Sequence, residues 1–141
     1  RMFAANARNA NASDQSGRAS RVVVVEDDET QQALIAAMLA SEPVELVFES
    51  DGAAALERIH ATAPDLVLMD VGLPGSDGVE ITGQIKSSPA LASIPVVMLT
   101  GEASFETLVR SMEAGAADFI VKPFTRDALV AKLGKFLPSI A

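Results

Sequence analysis

Short runs of β-branched and other apolar residues alternate along the chain with segments in which apolar residues recur every three or four positions. The short runs predict five strands, at residues 22–25, 44–48, 66–69, 94–99 and 117–121. The segments between these runs, and the segment after the last, have the spacing of helices that bury one face. The first, third and fourth runs contain no charged or hydrogen-bonding side chain, as expected of strands that are covered on both faces. The pattern therefore predicts five β–α units with these three strands at the centre of one sheet.

Strict alternation of strands and helices predicts an α/β fold, a (βα)5 doubly wound five-stranded sheet. The strands would be parallel and joined by right-handed crossovers, with helices on both faces. Ligands of such open sheets bind beyond the carboxyl ends of the strands, where the strand order reverses. Polar and loop-forming residues follow four of the predicted strands and are expected to share this crevice. They are Glu26, Asp27, Asp28 and Glu29, then Asp70, then Thr100 and Gly101, and finally Lys122 and Pro123.

Composition limits the kinds of protein that this chain can be. Its 141 residues, 49% of them hydrophobic, suffice for one buried core without help from metals or disulfides. The absence of cysteine excludes disulfides, zinc–thiolate sites and thiol catalysis, and a net charge of −8 argues against direct binding of nucleic acid. The apolar runs are far shorter than the roughly 20 residues that cross a bilayer. We therefore expect a cytoplasmic protein that binds neither membranes nor nucleic acid.

The first twenty residues differ from the rest of the chain. Residues 1–20 are rich in Ala, Asn, Ser and Arg, with Met2 and Phe3 as their only large apolar residues. They show no sustained period, which predicts a linker or a disordered leader before one folded domain at residues 21–138. Arg1 in place of an initiator Met favours a domain cut from a longer chain.

Asp27 and Asp70 would meet at the carboxyl edge of the sheet. Two carboxylates about 4 Å apart repel by on the order of 4 kcal/mol at an effective dielectric constant of about 20, so a cation is needed between them. An oxygen-only site with few protein ligands suits Mg²⁺, which keeps several waters and is completed by a substrate phosphate. A carboxylate beside that ion can attack phosphorus, while Lys122 and Thr100 donate to the phosphoryl oxygens. Asp70 is thus the candidate nucleophile.

Each of these residues also has an ordinary structural interpretation. The acidic run at residues 26–29 could be the solvated start of a helix, and Asp70 could be a turn residue before Gly and Pro. Lys122 could lie on the surface, and Thr100 could cap its own loop. These interpretations hold for each residue alone, whereas the joint placement at one sheet edge favours chemistry.

Four motifs resemble those of a known family, the receiver domain of two-component response regulators, over residues 21–138. The resemblance implies a flavodoxin-like three-layer sandwich with strand order 2-1-3-4-5. The motifs are Glu26-Asp27-Asp28, the segment from Pro64 to Gly78 around Asp70, Val97-Met98-Leu99-Thr100-Gly101, and Phe119-Ile120-Val121-Lys122-Pro123-Phe124.

The resemblance implies a metal site and a phosphoacceptor. Asp70 matches the phosphoacceptor and also a metal ligand, Asp27 matches the acid that binds the metal directly, and Glu26 matches the acid that reaches it through water. Gly72 would add its backbone carbonyl. The implied cofactor is Mg²⁺, with Mn²⁺ as a substitute. By the same analogy, Gly72 and Glu102 influence how long the phosphoryl group persists.

The resemblance also implies a switch. Thr100 and Lys122 match the pair that holds the phosphoryl group, and the bond between Lys122 and Pro123 matches one that is typically cis in receivers. Phe119 matches the aromatic residue that turns inward when the Thr100 hydroxyl moves toward the phosphate. Because Phe has no hydroxyl, a switch that depends on a hydrogen bond from this ring is not expected.

The implied function is signalling by phosphorelay. A histidine kinase or a histidine phosphotransfer protein would donate the phosphoryl group to Asp70, and the added charge would switch the face formed by the fourth helix, fifth strand and fifth helix. Residues expected there are Phe105, Val109, Phe119 and Ala128. The output would be a downstream protein, an attached domain or a homodimer formed on phosphorylation. The chemistry would be limited to self-phosphorylation and autodephosphorylation, so the chain is not expected to be an enzyme.

Two other functions and a second architecture stay open. A phosphatase similar to the haloacid dehalogenases would also use Asp70 as nucleophile, but those enzymes carry a second Asp where this chain has Gly72. A degenerate interaction module would keep the fold without phosphorylation, although all five site residues are present. For the architecture, we expect a receiver from a hybrid sensor kinase or a multidomain regulator, with a stand-alone regulator as the alternative.

Overall fold

The computed structural model describes residues 19–101 and 104–140, and in this part of the chain five strands alternate with five helices. A single 3-10 turn at Gly52–Ala54 precedes the second helix. No helix in the described residues is long and apolar enough to cross a membrane. The strands are β1 Ser20–Val25, β2 Val44–Glu49, β3 Leu66–Asp70, β4 Val96–Thr100 and β5 Asp118–Val121, and the helices are α1 Glu29–Met38, α2 Ala55–Thr62, α3 Gly78–Ser87, α4 Phe105–Glu113 and α5 Arg126–Gly134.

The strands form one parallel sheet in the order β2-β1-β3-β4-β5. The α/β class and the strand order are therefore confirmed, and the three runs without polar residues are the three inner strands. Two separate layers of apolar side chains cover the sheet, because alternate strand residues point to opposite faces. One layer includes Val23 and Met69 with Ile59 of α2 and Ile85 of α3. The other includes Val24 and Leu68 with Ile35 of α1 and Leu129 of α5.

The strand boundaries differ from the predicted ones at the ends of the runs. β4 begins at Val96 and not at residue 94, because Pro95 has no N–H to donate to a ladder and contributes only its carbonyl, which accepts from Val67. The same strand extends to Thr100, and β3 extends to Asp70, since both polar residues keep their place in the ladder. Both side chains therefore start from rigid strand ends.

The packed region extends slightly beyond the predicted limits of residues 21 and 138. Ser20, which the composition assigned to the leader, is the first residue of β1, pairs with Val44 and is buried. At the other end Ile140 is buried in the layer that contains α1 and α5. Its amide donates to the carbonyl of Leu137. Residues 1–18 of the predicted leader lie outside the described residues.

Candidate functional site

The carboxyl ends of β1, β3, β4 and β5 bring the predicted polar residues to one edge of the sheet. Glu26 follows β1 directly, and its amide donates to the carbonyl of Glu49 at 3.0 Å. Asp70 and Thr100 are the last residues of β3 and β4. Lys122 follows β5, and its amide donates to the carbonyl of Thr100 at 2.7 Å. Backbone ladder bonds and their extensions thus fix the starting point of each side chain.

Three carboxylates form a compact cluster at this edge. One carboxylate oxygen from each of Glu26, Asp27 and Asp70 lies within 4.8 Å of the other two. Glu26 and Asp70 are buried, while Asp27 is half-buried and so reaches solvent. A hard divalent cation with oxygen ligands and retained waters fits this donor set, because the cluster is anionic, holds neither sulfur nor nitrogen ligands, and is open on one side.

Lys122 supplies one positive charge to the cluster. Its Nζ lies 3.0 Å from Oε1 of Glu26 and 3.3 Å from Oδ1 of Asp70. Burial alone would lower the pKa of Lys122, but the two carboxylates outweigh it and hold that pKa above its ordinary value. Burial raises the pKa of the Glu26 carboxyl, and the hydrogen bond from Lys122 only partly opposes the rise. The two shifts therefore have different causes: the neighbouring carboxylates hold the proton on Lys122, whereas burial disfavours the charged form of Glu26.

Neighbouring backbone groups contact both the side chain of Asp70 and the chain that follows it. The amide of Gly72 donates to Oδ1 of Asp70 at 3.1 Å, which is the same oxygen that Lys122 contacts. Behind the strand end, the amide of Gly78 donates to the carbonyl of Val71 at 3.1 Å. The start of α3 approaches so closely here that a methyl group on Gly78 would overlap the backbone carbonyl of Asp70. Only glycine fits this contact without a shift of the loop.

Replacing Gly78 with Ala is therefore expected to lower the free energy of unfolding by about 1–3 kcal/mol, the usual range for overpacking. Gly83 is the matched control, because it lies in the same helix and a methyl group there would have no neighbouring heavy atom of the described residues within 4 Å. Gly83→Ala should raise the free energy of unfolding by about 0.5–1 kcal/mol through helix propensity. Urea unfolding followed by circular dichroism measures both. Equal stability of the two variants would contradict the close contact at Gly78.

The loop that carries the acidic run is held by Asp28 of the loop and by Gln32 of α1. Asp28 caps α1 by accepting from the amides of Thr30 and Gln31 at 2.7 and 3.2 Å, and its own amide donates to Oε2 of Glu26 at 3.2 Å. Gln32 donates from Nε2 to the backbone carbonyl of Glu26 at 2.6 Å. Sequence reasoning gave Asp28 no separate role and did not identify Gln32. An Asp before a helical segment is a usable capping signal, whereas nothing in the sequence pattern indicates the bond from Gln32.

The remaining predicted residues are placed as follows. The peptide bond between Lys122 and Pro123 is cis. Thr100 is buried, and Phe119 is half-buried against the layer of apolar side chains that includes α2 and α3, with Nζ of Lys132 5.5 Å from its ring centroid. On the predicted switch face Phe105 and Ala128 are exposed and Val109 is half-buried. Gly72 is exposed, and Glu102 lies outside the described residues.

Comparison with known proteins gives the same family throughout. The family model of the response regulator receiver domain matches residues 22–134. Among curated proteins, the phosphate regulon transcriptional regulatory protein PhoB of Escherichia coli is 36% identical over 115 residues, which are 82% of this chain and 50% of PhoB. The chain thus spans about half the length of the curated relatives it matches.

Two solved structures of receiver domains share the architecture. The BeF3-activated N-terminal receiver domain of Klebsiella pneumoniae RstA is 37% identical, with a TM-score of 0.77 and coverage of 83% of this chain and 97% of that one. The receiver domain of the Pseudomonas aeruginosa sensor histidine kinase PA1611 has a magnesium ion in its active-site cleft. It is 30% identical, with a TM-score of 0.77 and coverage of 84% and 97%. With a receiver fold, an acidic cluster at the switch of strand order and a family match across most of its length, this chain belongs to the receiver domains of two-component response regulators.

Proposed function

We propose that this chain accepts a phosphoryl group on Asp70 from the phosphohistidine of a histidine kinase or a histidine phosphotransfer protein. The observation that carries the proposal is the surrounding of Asp70. This buried carboxylate ends an inner strand, shares the cluster with Glu26 and Asp27, and lies 3.3 Å from the ammonium of Lys122. The carboxylate of Asp70, with two further acids and the ammonium of Lys122 beside it, is suited to bind a divalent ion and to accept a phosphoryl group.

The transfer forms one bond and breaks one. A carboxylate oxygen of Asp70 attacks phosphorus in line, the P–N bond to the donor imidazole breaks, and its electron pair stays on the ring nitrogen. Oδ1 of Asp70 already accepts from Lys122 and from the amide of Gly72, so we assign the attack to Oδ2. The ammonium of Lys122 and the hydroxyl of Thr100 would then donate to the equatorial phosphoryl oxygens. Water later attacks phosphorus, the bond between phosphorus and the Asp70 oxygen breaks, and inorganic phosphate leaves while the carboxylate is restored.

Asp70 and the residues around it are proposed to bind the metal ion. Asp27 and Asp70 would hold Mg²⁺ directly, Glu26 would hold it through water, and Gly72 would offer its carbonyl. When bound, the ion neutralises the acids and the charge of the incoming phosphoryl group. Mn²⁺ is a suitable substitute because it also takes oxygen ligands.

The output is proposed to follow from the charge that phosphorylation adds. A phosphoryl group brings about −1.5 to −2 charge beside Lys122 and Thr100 and so biases a two-state arrangement of α4, β5 and α5, with Phe119 as the switch residue. A downstream protein, an attached domain or a second copy of the chain would bind this face. Similarity to the receiver of a sensor kinase supports a place in a hybrid kinase or multidomain regulator of the cytoplasm, and a stand-alone regulator is the alternative.

The test uses a small phosphodonor first and kinases second. Purified protein is incubated with acetyl phosphate and Mg²⁺, and the intact mass is expected to rise by one phosphoryl group that hydroxylamine removes. Peptide mapping should place the modification on Asp70, and removal of the metal with EDTA should prevent it. Phosphotransfer profiling against candidate histidine kinases then identifies the donor. A protein that gains no phosphoryl group from any of these donors would refute the proposal.

A further inference from the structure

The backbone carbonyl of Glu26 is held by Gln32, which is not among the residues proposed to bind the metal or the phosphoryl group. The amide of Glu26 donates to β2, and its two carboxylate oxygens accept from Lys122 and from the amide of Asp28. Its backbone carbonyl accepts from Nε2 of Gln32 at 2.6 Å. Every polar group of Glu26 is therefore engaged, and the bond to the carbonyl comes from a side chain one turn into α1.

The bond from Gln32 acts on Asp27 through the geometry of the peptide. The carbonyl of Glu26 and the amide of Asp27 lie in one rigid plane, since the peptide bond does not rotate freely. Fixing the carbonyl oxygen fixes that plane and therefore the positions of the nitrogen and Cα of Asp27, so that only rotation about the N–Cα bond and the side-chain torsions remain to place its carboxylate. Asp27 is the half-buried member of the cluster and comes from a loop, whereas Asp70 comes from a strand end. Its position depends more on local bonds of this kind.

We infer that Gln32 is a positioning residue that holds Asp27 in the geometry needed to bind a divalent cation. The inference rests on the proposed metal-assisted function and adds to it a residue that touches neither metal nor phosphate. Groups that orient metal ligands typically contribute about 10–100-fold to metal affinity. Without the bond, the plane between Glu26 and Asp27 can turn, and part of the binding energy is spent on ordering it.

The test compares two identical substitutions at adjacent positions. Gln32→Met keeps the length and helix propensity of the side chain but removes the donor. Gln31→Met is the matched control, because the bond of that residue to Asp28 comes from its backbone amide and is retained. The chain has neither Trp nor Tyr, so metal binding is measured by electron paramagnetic resonance of Mn²⁺, with Mg²⁺ as competitor. Thermal unfolding without metal, followed by circular dichroism, reports the stability of each variant.

Gln32→Met is expected to weaken Mn²⁺ and Mg²⁺ binding about 10-fold relative to wild type, while Gln31→Met binds as wild type does. The metal-free unfolding midpoint of Gln32→Met should lie slightly below that of Gln31→Met, because the carbonyl of the buried Glu26 loses one hydrogen bond, and both variants should stay folded at the temperature of the binding measurement. Gln32→Leu should reproduce the loss, so that the result does not depend on one side chain. Wild-type affinity in both Gln32 variants would overturn the positioning role alone. Absence of metal binding in the wild type would overturn the proposed function as well.

Discussion

The Asp70→Asn variant is expected to gain no phosphoryl group from acetyl phosphate under conditions that modify the wild type completely. An amide oxygen is a much weaker nucleophile than a carboxylate and cannot form the acyl phosphate. The substitution preserves shape, and it removes one of three clustered acids, so the metal-free protein should be at least as stable as wild type. Phosphate-affinity gel electrophoresis and intact mass measure the first effect, and thermal unfolding measures the second.

Asp65 provides the control for this experiment. It directly precedes β3, at the end of the strand opposite Asp70, is exposed, and accepts from the amide of Arg21 at 2.8 Å. Asp65→Asn should therefore be phosphorylated at the wild-type rate. Modification of Asp70→Asn on another residue, at a rate similar to that of wild type, would show that the phosphoacceptor has been misassigned.

The hydrophobic pattern was sufficient to predict the α/β fold class and the inner strands of the sheet. The runs 22–25 and 66–69 have no polar residue because their strands are covered by helices on both faces, and this composition is visible in the sequence. The order of strands around them came from the resemblance to receivers, since alternation of strands and helices does not determine which neighbours pair. Burial and topology are thus encoded at different levels, one in local composition and the other in the packing of distant segments.

The site was predictable only as far as it is built from strand ends. Asp70 and Thr100 close inner strands, so their meeting follows from a parallel sheet. The contact between Gly78 and the carbonyl of Asp70 depends on the approach of a helix to a strand, and the bond from Gln32 depends on a side-chain torsion. Neither the distance between that helix and strand nor the torsion of the Gln32 side chain can be predicted from residue type or spacing. The residues that hold the loops therefore emerge only from three-dimensional packing.

Replacing Lys122 with Gln is expected to lower the rate of phosphorylation and to increase the stabilisation of the protein by Mg²⁺. Loss of the ammonium removes a donor to the phosphoryl oxygens and should slow acceptance from acetyl phosphate about 10²–10³-fold. Without metal, Glu26 and Asp70 lose their shared counter-ion. The free energy of unfolding should fall by on the order of 1–3 kcal/mol, less than the about 3–5 kcal/mol for a fully buried pair, because 20% of the Lys122 side chain is exposed.

Mg²⁺ should then raise the unfolding midpoint of Lys122→Gln by more than it raises that of wild type, since the ion replaces the missing positive charge and binds the cluster more tightly. Lys135→Gln is the control, because this exposed lysine pairs with Asp118 and should leave both quantities unchanged. The two opposite shifts separate a direct role of Lys122 from general damage, which would reduce phosphorylation and metal binding together. A variant with slow phosphorylation and a weaker response to Mg²⁺ would therefore show that Lys122 supports the fold of the site and not its charge balance.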